Sequence, residues 1–98
     1  MALEIERLPR AQADQLDIWL YVAAESVKAA DNLSDRLDEA AGFLATHPEA
    51  GRSRAEFAAT LRSHPIGAYV IFYRHDSKTL TIVRILSSYR DITGDLFQ

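Results

Sequence analysis

The spacing of apolar and polar residues changes along the chain, and these changes predict the order of its elements. Residues 3–8 alternate between the two classes, as a half-buried strand does. From Ala11 to Glu25, and again from Ser26 to His47, apolar residues recur every three or four positions, which predicts two helices. Ser26 has the side chain of an N-cap, and Pro48 ends the second helix because proline forces the residue before it out of the α region.

Three further strands are predicted in the second half of the chain. They are Thr60–Ser63, Ala68–His75 and Thr79–Ser87, and the segments 64–67 and 76–78 form the turns between them. The last two strands are β-branched and aromatic on both faces, which predicts central positions in the sheet. Residues 90–97 follow as a short C-terminal helix or an irregular tail.

The predicted order β-α-α-β-β-β is typical of an α+β domain, here a single domain over residues 1–98. Small alanines on both helices favour a close αα-hairpin, and we expect it to pack on one face of an antiparallel sheet. We interpret the apolar stripe of the first helix as core. Its members are Leu16, Trp19, Leu20, Ala23 and Val27.

Composition excludes several classes of function. The 98 residues contain no cysteine, so disulfides and cysteine-based zinc sites are excluded. The three histidines have no metal-ligand spacing, and no glycine-rich phosphate loop is present, so we predict no metal and no cofactor. No signal peptide or membrane-length apolar run occurs, so the expected location is cytoplasmic.

Charge is divided unevenly along a chain whose net charge is -3. Residues 1–49 carry four Lys/Arg and ten Asp/Glu, whereas residues 50–98 carry seven and four. This asymmetry suggests a charged partner for the second half, although an acidic helical layer attracting a basic sheet explains it equally well.

Arginines lie within the predicted strands at Arg62, Arg74 and Arg84. Clustered guanidinium groups can bind a phosphate backbone through paired donors. Arg84 lies between apolar residues, however, so its head group needs a partner. We favour an internal ion pair, with Asp91 or a helix carboxylate, over contact with RNA.

Several segments resemble the ParE branch of the RelE/ParE toxin superfamily. They are Leu16–Ala23 in the first helix, Ala30, Leu33, Leu37, Leu44, His47-Pro48 and Gly51-Arg52 in the second helix and its turn, and Leu61–Ser63, Gly67–Arg74, Ile82–Leu86 and Arg90–Ile92 in the strand region. No single segment is diagnostic, but their order and spacing cover nearly the whole chain.

The resemblance implies a growth-arresting toxin of a type II toxin–antitoxin pair, neutralised by a ParD-like antitoxin in a hetero-oligomer. The antitoxin's ribbon-helix-helix domain would bind DNA, so the toxin would meet DNA only indirectly. The antitoxin's C-terminal segment would dock a helix in an apolar groove of the toxin and could add a strand. ParE toxins are typically described as inhibitors of DNA gyrase, so we expect inhibition by protein binding, without catalysis.

The main alternative implied by the superfamily is a RelE-like, ribosome-dependent mRNA endoribonuclease. Its candidate catalytic residues are Arg62, Arg84 and Tyr89. Family members often carry a His-Gly-Ala-like segment where this chain has Ser87-Ser88-Tyr89, so a histidine is missing and a tyrosine of ordinary pKa about 10 stands there. A third interpretation is a structural module without toxicity.

Candidate binding residues follow from the same picture. For the antitoxin groove we select apolar and aromatic residues of the helices: Trp19, Tyr21, Leu37 and Phe43. For contact with the target we select two basic residues, Arg74 and Arg90.

Overall fold

The computed structural model describes residues 2–98 and confirms the predicted α+β fold. In chain order its elements are β1 (Glu4–Arg7), α1 (Pro9–Ala23), α2 (Val27–Thr46), β2 (Arg52–Ser53), β3 (Arg62–Ile66), β4 (Tyr69–His75), β5 (Thr79–Ser87) and the 3-10 turn η1 (Gly94–Phe97). Ser26 caps α2 as expected, since its hydroxyl accepts the Ala29 N–H at 3.1 Å. Neither helix has an apolar stretch that would cross a bilayer.

The five strands form one sheet in the order β1-β5-β4-β3-β2, which gives β4 and β5 the central positions predicted for them. The pairs among β2, β3, β4 and β5 are antiparallel, but β1 lies parallel to β5. The sheet therefore departs from the expected antiparallel pattern at β1. Parallel pairing is possible there because the helical hairpin carries the chain back across the sheet, as a short turn could not.

One strand is new, and one strand begins later than predicted. The two-residue strand β2 lies in a segment without a clear period, and β3 continues through Pro65, which was assigned to a turn. Strand β2 pairs only with Arg62 and Ser63, so β3 has no neighbour on that side at Pro65. Proline is tolerated at such an edge because it has no N–H to leave unpaired.

Both faces of the sheet are covered. On one face, side chains of α1 and α2 pack against the sheet residues Tyr73, Leu80, Ile82 and Ile85. On the other face, Phe72, Val83 and Leu86 pack against the segment around Phe57 and the C-terminal residues Ile92, Leu96 and Phe97. The tail after β5 is therefore part of the second core.

Helix α1 is apolar on its outer side as well as its inner side. Ala11 is buried and Ile18 packs against the core, while the Trp19 indole N–H donates to Asp31 of α2 at 2.9 Å. Leu16 and Leu20 are 58% and 54% exposed, and Val27, the first residue of α2, is 55% exposed, so the assignment of these three residues to the core was wrong. Leu16 and Leu20 lie on the turns of α1 opposite the residues that contact the sheet, which leaves an apolar surface there.

Candidate functional site

The guanidinium of Arg84 is the most constrained cation in the described residues. Its Nε and Nη2 donate to the two carboxylate oxygens of Asp14 at 2.7 and 2.8 Å, and its Nη1 donates to the Leu96 carbonyl at 3.0 Å. Both side chains are almost completely buried. The hydrogen bonds and the negative charge of Asp14 raise the pKa of Arg84 above its ordinary value. The expected internal ion pair is thus formed with a helix carboxylate and not with Asp91.

Asp14 also completes the hydrogen bonding of β5. Strand β1 pairs with β5 only as far as Ile82, so the N–H of Ile85 has no strand neighbour on that side. The Asp14 carboxylate accepts this N–H at 3.0 Å. One side chain of α1 therefore replaces the missing strand and links the helix, the sheet and the tail.

Arg62 is also bound internally. Its Nη1 donates to the carbonyl of Gly51 at 2.7 Å and to that of Glu49 at 3.3 Å. Beside it, the Tyr73 hydroxyl donates to the Pro48 carbonyl at 2.8 Å and accepts the Gly51 N–H at 2.9 Å. Burial raises the pKa of Tyr73, so this phenol stays protonated and holds the turn after α2.

The third residue of the nuclease alternative lies elsewhere. Tyr89 is 89% exposed and follows the end of β5. Arg62 lies in the same row of the sheet as Tyr73 and Ile82. The β4 residues paired with Ile82 and Ser87 are Tyr73 and Tyr69, four positions apart, so the two rows are separated by roughly 13 Å, at about 3.3 Å per residue. The structure therefore separates Tyr89 from Arg62 and places Arg84 in a buried ion pair between them.

A cleft opens between α1, the start of β4 and the end of β5. Its volume is about 560 Å³. It is lined by residues of α1, of both strands and of the segment after β5: Asp14, Asp17, Ile18, Tyr21, Ala68, Tyr69, Ile85, Leu86, Ser87, Tyr89 and Arg90. Within residues 2–98, Asp17 and Arg90 take part in no ion pair, so two opposite charges stand free at the rim of a largely apolar cleft.

Of the four residues selected for antitoxin binding, only Tyr21 lines this cleft, and its side chain is 78% exposed. Trp19 is half-buried against α2, and Leu37 is 2% exposed inside the core. Phe43 is exposed on α2, where its ring stacks on His47 with 4.8 Å between centroids. Leu37 is therefore inaccessible to a partner.

The two residues selected for target contact lie apart. Arg90 lines the cleft, and Arg74 lies on β4 near its other end. Arg74 is exposed and, like Arg90, forms none of the ion pairs in the described part of the chain.

Among the charged and aromatic residues of the cleft, three were not selected from the sequence: Asp14, Asp17 and Tyr69. A signal was available for the first two, because Asp14, Asp17 and Tyr21 follow one another at spacings of three and four and so share one helix face. No such signal existed for Tyr69, which reaches the cleft only through the pairing of β4 with β5. Within residues 2–98, no group of three His, Asp or Glu side chains is placed to hold a metal ion.

Solved structures with this fold include two from toxin–antitoxin systems. The first is the chromosomal ParDE toxin–antitoxin system from P. aeruginosa, with a TM-score of 0.73, 19% identity, and coverage of 88% of this chain and 96% of that chain. The second is the RelBE2 toxin–antitoxin complex from Mycobacterium tuberculosis, with a TM-score of 0.61, 21% identity, and coverage of 89% and 99%. At these identities the likeness concerns the fold.

The family comparison is more specific. No curated protein matches the chain significantly. The sequence model of the ParE toxin of type II toxin–antitoxin systems, parDE, matches residues 5–92, which include both helices, all of β2 to β5 and the cleft residues of α1 and β5. The chain therefore belongs to the ParE toxin family of type II toxin–antitoxin systems.

Proposed function

We propose that this ParE toxin arrests growth by binding DNA gyrase, without catalysis, and that a ParD-like antitoxin with a ribbon-helix-helix domain neutralises it. The proposal rests on family membership over residues 5–92 and on the internal bonding of two arginines that a nuclease would need free. Arg62 and Arg84 bind backbone carbonyls and a buried carboxylate inside the protein.

A nuclease site needs guanidinium groups that face a scissile phosphate, together with a general base in reach of the 2′-hydroxyl. Arg84 could face a phosphate only by breaking its buried ion pair with Asp14, which is a costly step. Tyr89 stands largely in solvent beyond the end of β5, apart from Arg62, so the three residues of the nuclease alternative do not converge on one point. The geometry therefore supports a binding function over RNA cleavage.

For the antitoxin we propose a surface made of the cleft and the outer face of α1. Leu16 and Leu20 expose much of their side chains beside Asp17 and Tyr21, which lead into the cleft. Large apolar side chains left in water on one helix face are typical of a surface that a partner covers. An amphipathic antitoxin helix fits such a face.

For the target we propose contact through Arg74 and Arg90. Both are exposed and form no ion pair within the described residues, whereas Arg84 is ion-paired with Asp14 and Arg62 donates to backbone carbonyls. Because Arg90 also lines the cleft, an antitoxin seated there would cover one of the two arginines. Neutralisation would then follow from competition for a shared surface.

Supercoiling by purified gyrase tests this proposal. The toxin, freed from its antitoxin, should inhibit supercoiling, and R74A and R90A should each inhibit less. Lys28→Ala, at an exposed lysine of α2 outside the cleft, is the matched charge-removal control and should inhibit like the wild type. Ribosome-dependent cleavage of mRNA by the wild type, with supercoiling unaffected, would overturn the proposal.

A further inference from the structure

We propose that the cleft between α1 and the end of β5 is a receptor for one cationic side chain, an arginine or a lysine, of the antitoxin segment that docks there. This inference rests on the proposed function, since it takes the antitoxin as the occupant. It adds the chemistry by which the partner is recognised, which neither the fold nor the family specifies.

Three aromatic rings line the cleft. Tyr21, Tyr69 and Tyr89 all line the cleft, and two of them stand at the rim with their rings largely exposed. The face of an aromatic ring carries a negative partial charge and attracts ammonium and guanidinium groups, particularly where water is excluded. Three tyrosines around one cleft therefore favour a cation over an anion.

Two carboxylates, those of Asp14 and Asp17, also line the cleft. Both oxygens of Asp14 are occupied by Arg84 and the Ile85 N–H, so this charge is already balanced within the protein. Asp17, one helical turn further along, lines the same cleft and has no such partner. It is the negative group that an incoming cation can reach.

The surrounding charge has the same sign. From Pro9 to Thr46 the helical hairpin carries seven Asp and Glu but only three Lys and Arg. The hairpin as a whole is therefore acidic and attracts a basic segment, and on α1 itself the acidic side chain without an ion-pair partner is Asp17.

The shape of the cleft suits a long side chain. Ile18 and Leu86 give its lining an apolar part, against which the methylene stem of Arg or Lys can pack while the charged head stays near Asp17 and the tyrosines. Arg90 is the only basic residue of the lining, and it opposes a cation. Removal of Arg90 should thus act in the opposite direction to removal of Asp17.

The experiment measures the affinity of the toxin for the purified antitoxin encoded beside its gene, by titration calorimetry at low and physiological salt. D17N should weaken binding by about tenfold, more at low salt, because a charge pair is lost. Tyr21→Leu, which keeps apolar area but removes the ring, should also weaken binding, and R90Q should strengthen it. Asp35→Asn, on exposed α2 outside the cleft, is the charge-matched control and should bind as the wild type does.

The anchor itself is identified by replacing each Lys and Arg of the antitoxin's docking segment with Gln. One replacement should lose its effect in the D17N background, since the two changes remove the same contact. Thermal unfolding of every toxin variant checks that the fold is retained.

The outcomes separate the two proposals. If the antitoxin binds the wild type, but D17N behaves like D35N, or R90Q weakens binding, the cationic anchor is wrong and the proposed function stands. If the wild type does not bind the antitoxin, both proposals fail.

Discussion

The ion pair of Asp14 and Arg84 shows how one pair of side chains can connect three parts of a small protein. Asp14 comes from α1, Arg84 from β5, and the third participant is the Leu96 carbonyl in η1. Each charge is buried, and each is compensated by the other. Removal of one partner would leave the other without compensation, which costs far more than the net stabilisation by the intact pair.

Asp14→Ala is therefore expected to lower the free energy of unfolding by about 3–5 kcal/mol. The matched control is Asp38→Ala, which removes the exposed partner of Arg7 and should cost no more than about 1 kcal/mol. Urea denaturation of the two variants and the wild type measures both values. Equal losses would contradict the structural role given to the buried pair.

Asp76 predicts a dependence of stability on pH. Its Oδ1 accepts the N–H groups of Lys78 and Thr79, both at 2.8 Å, and these two bonds lower the pKa of Asp76 below its ordinary 3.8. The ionised form is thus favoured in the folded state, so its contribution is complete above the ordinary pKa and is lost as the pH falls through the lowered one.

Wild type and Asp76→Ala should accordingly differ most in unfolding free energy near neutral pH. The difference should shrink once the pH falls below about 4, where the carboxylate becomes protonated. Denaturation curves recorded between about pH 2 and pH 7 give the comparison. A difference that stays constant over this range would show that the carboxylate charge does not hold the turn.

At the scale of elements, the turn between α2 and β2 depends on a glycine. The N–H of Gly51 donates to the Tyr73 hydroxyl, and this ring packs against the Gly51 backbone. A Cβ at Gly51 would lie 2.7 and 2.8 Å from Cε1 and Cζ of Tyr73. Neither the turn nor the buried ring can accommodate a methyl group without movement.

Gly51→Ala should therefore destabilise the protein by about 1–3 kcal/mol, as overpacking does. Gly42→Ala is the matched control inside α2, because a Cβ there meets no atom within 4 Å. Alanine in a helix interior should stabilise by about 0.5–1 kcal/mol. Thermal unfolding should move in opposite directions for the two variants; a shift of the same sign would contradict this view of the turn.

Helix α1 shows the limit of periodicity as a guide to burial. Its apolar residues recur at helical spacing on more than one side, so their pattern predicts the helix but not the side that faces the core. Leu16 and Leu20 have the spacing of core residues and lie in water. The side is decided by Asp14, which is drawn to Arg84, and by Trp19, which is held by Asp31.

At the scale of the whole molecule, the sheet is stabilised from both faces. The Phe97 ring lies 4.8 Å from that of Phe72 and 5.8 Å from that of Phe57, between centroids. The last residues of the chain therefore complete a core that begins in the middle of the sequence.

Phe97→Ala should lower the free energy of unfolding by roughly 1–2 kcal/mol, less than for a fully buried Phe because this ring is only half-buried. Tyr89→Ala, which removes a largely exposed ring from the same tail, should stay within about 0.5 kcal/mol of the wild type. Chemical denaturation of both variants measures the difference. If both variants changed the free energy of unfolding by less than about 0.5 kcal/mol, the tail would not be part of the core.

The sequence by itself determined the elements and the family. Alternation in β1, the β-branched and aromatic residues of β4 and β5, helical spacing in α1 and α2, and the Ser26 cap are local signals, because they depend on residues a few positions apart. The family resemblance follows from their order. The need of Arg84 for a partner was also visible, since a cation between apolar residues in a strand must be compensated.

Only the tertiary structure decided which distant residues meet. Asp14 and Arg84 are 70 positions apart, and the parallel pairing of β1, its early end at Ile82 and the cleft beyond it depend on how the hairpin crosses the sheet. Such contacts are set by packing over the whole chain, and no local period encodes them. For the same reason the sequence could supply Asp17, Tyr21 and Tyr69 as residues, but only the fold makes them one site.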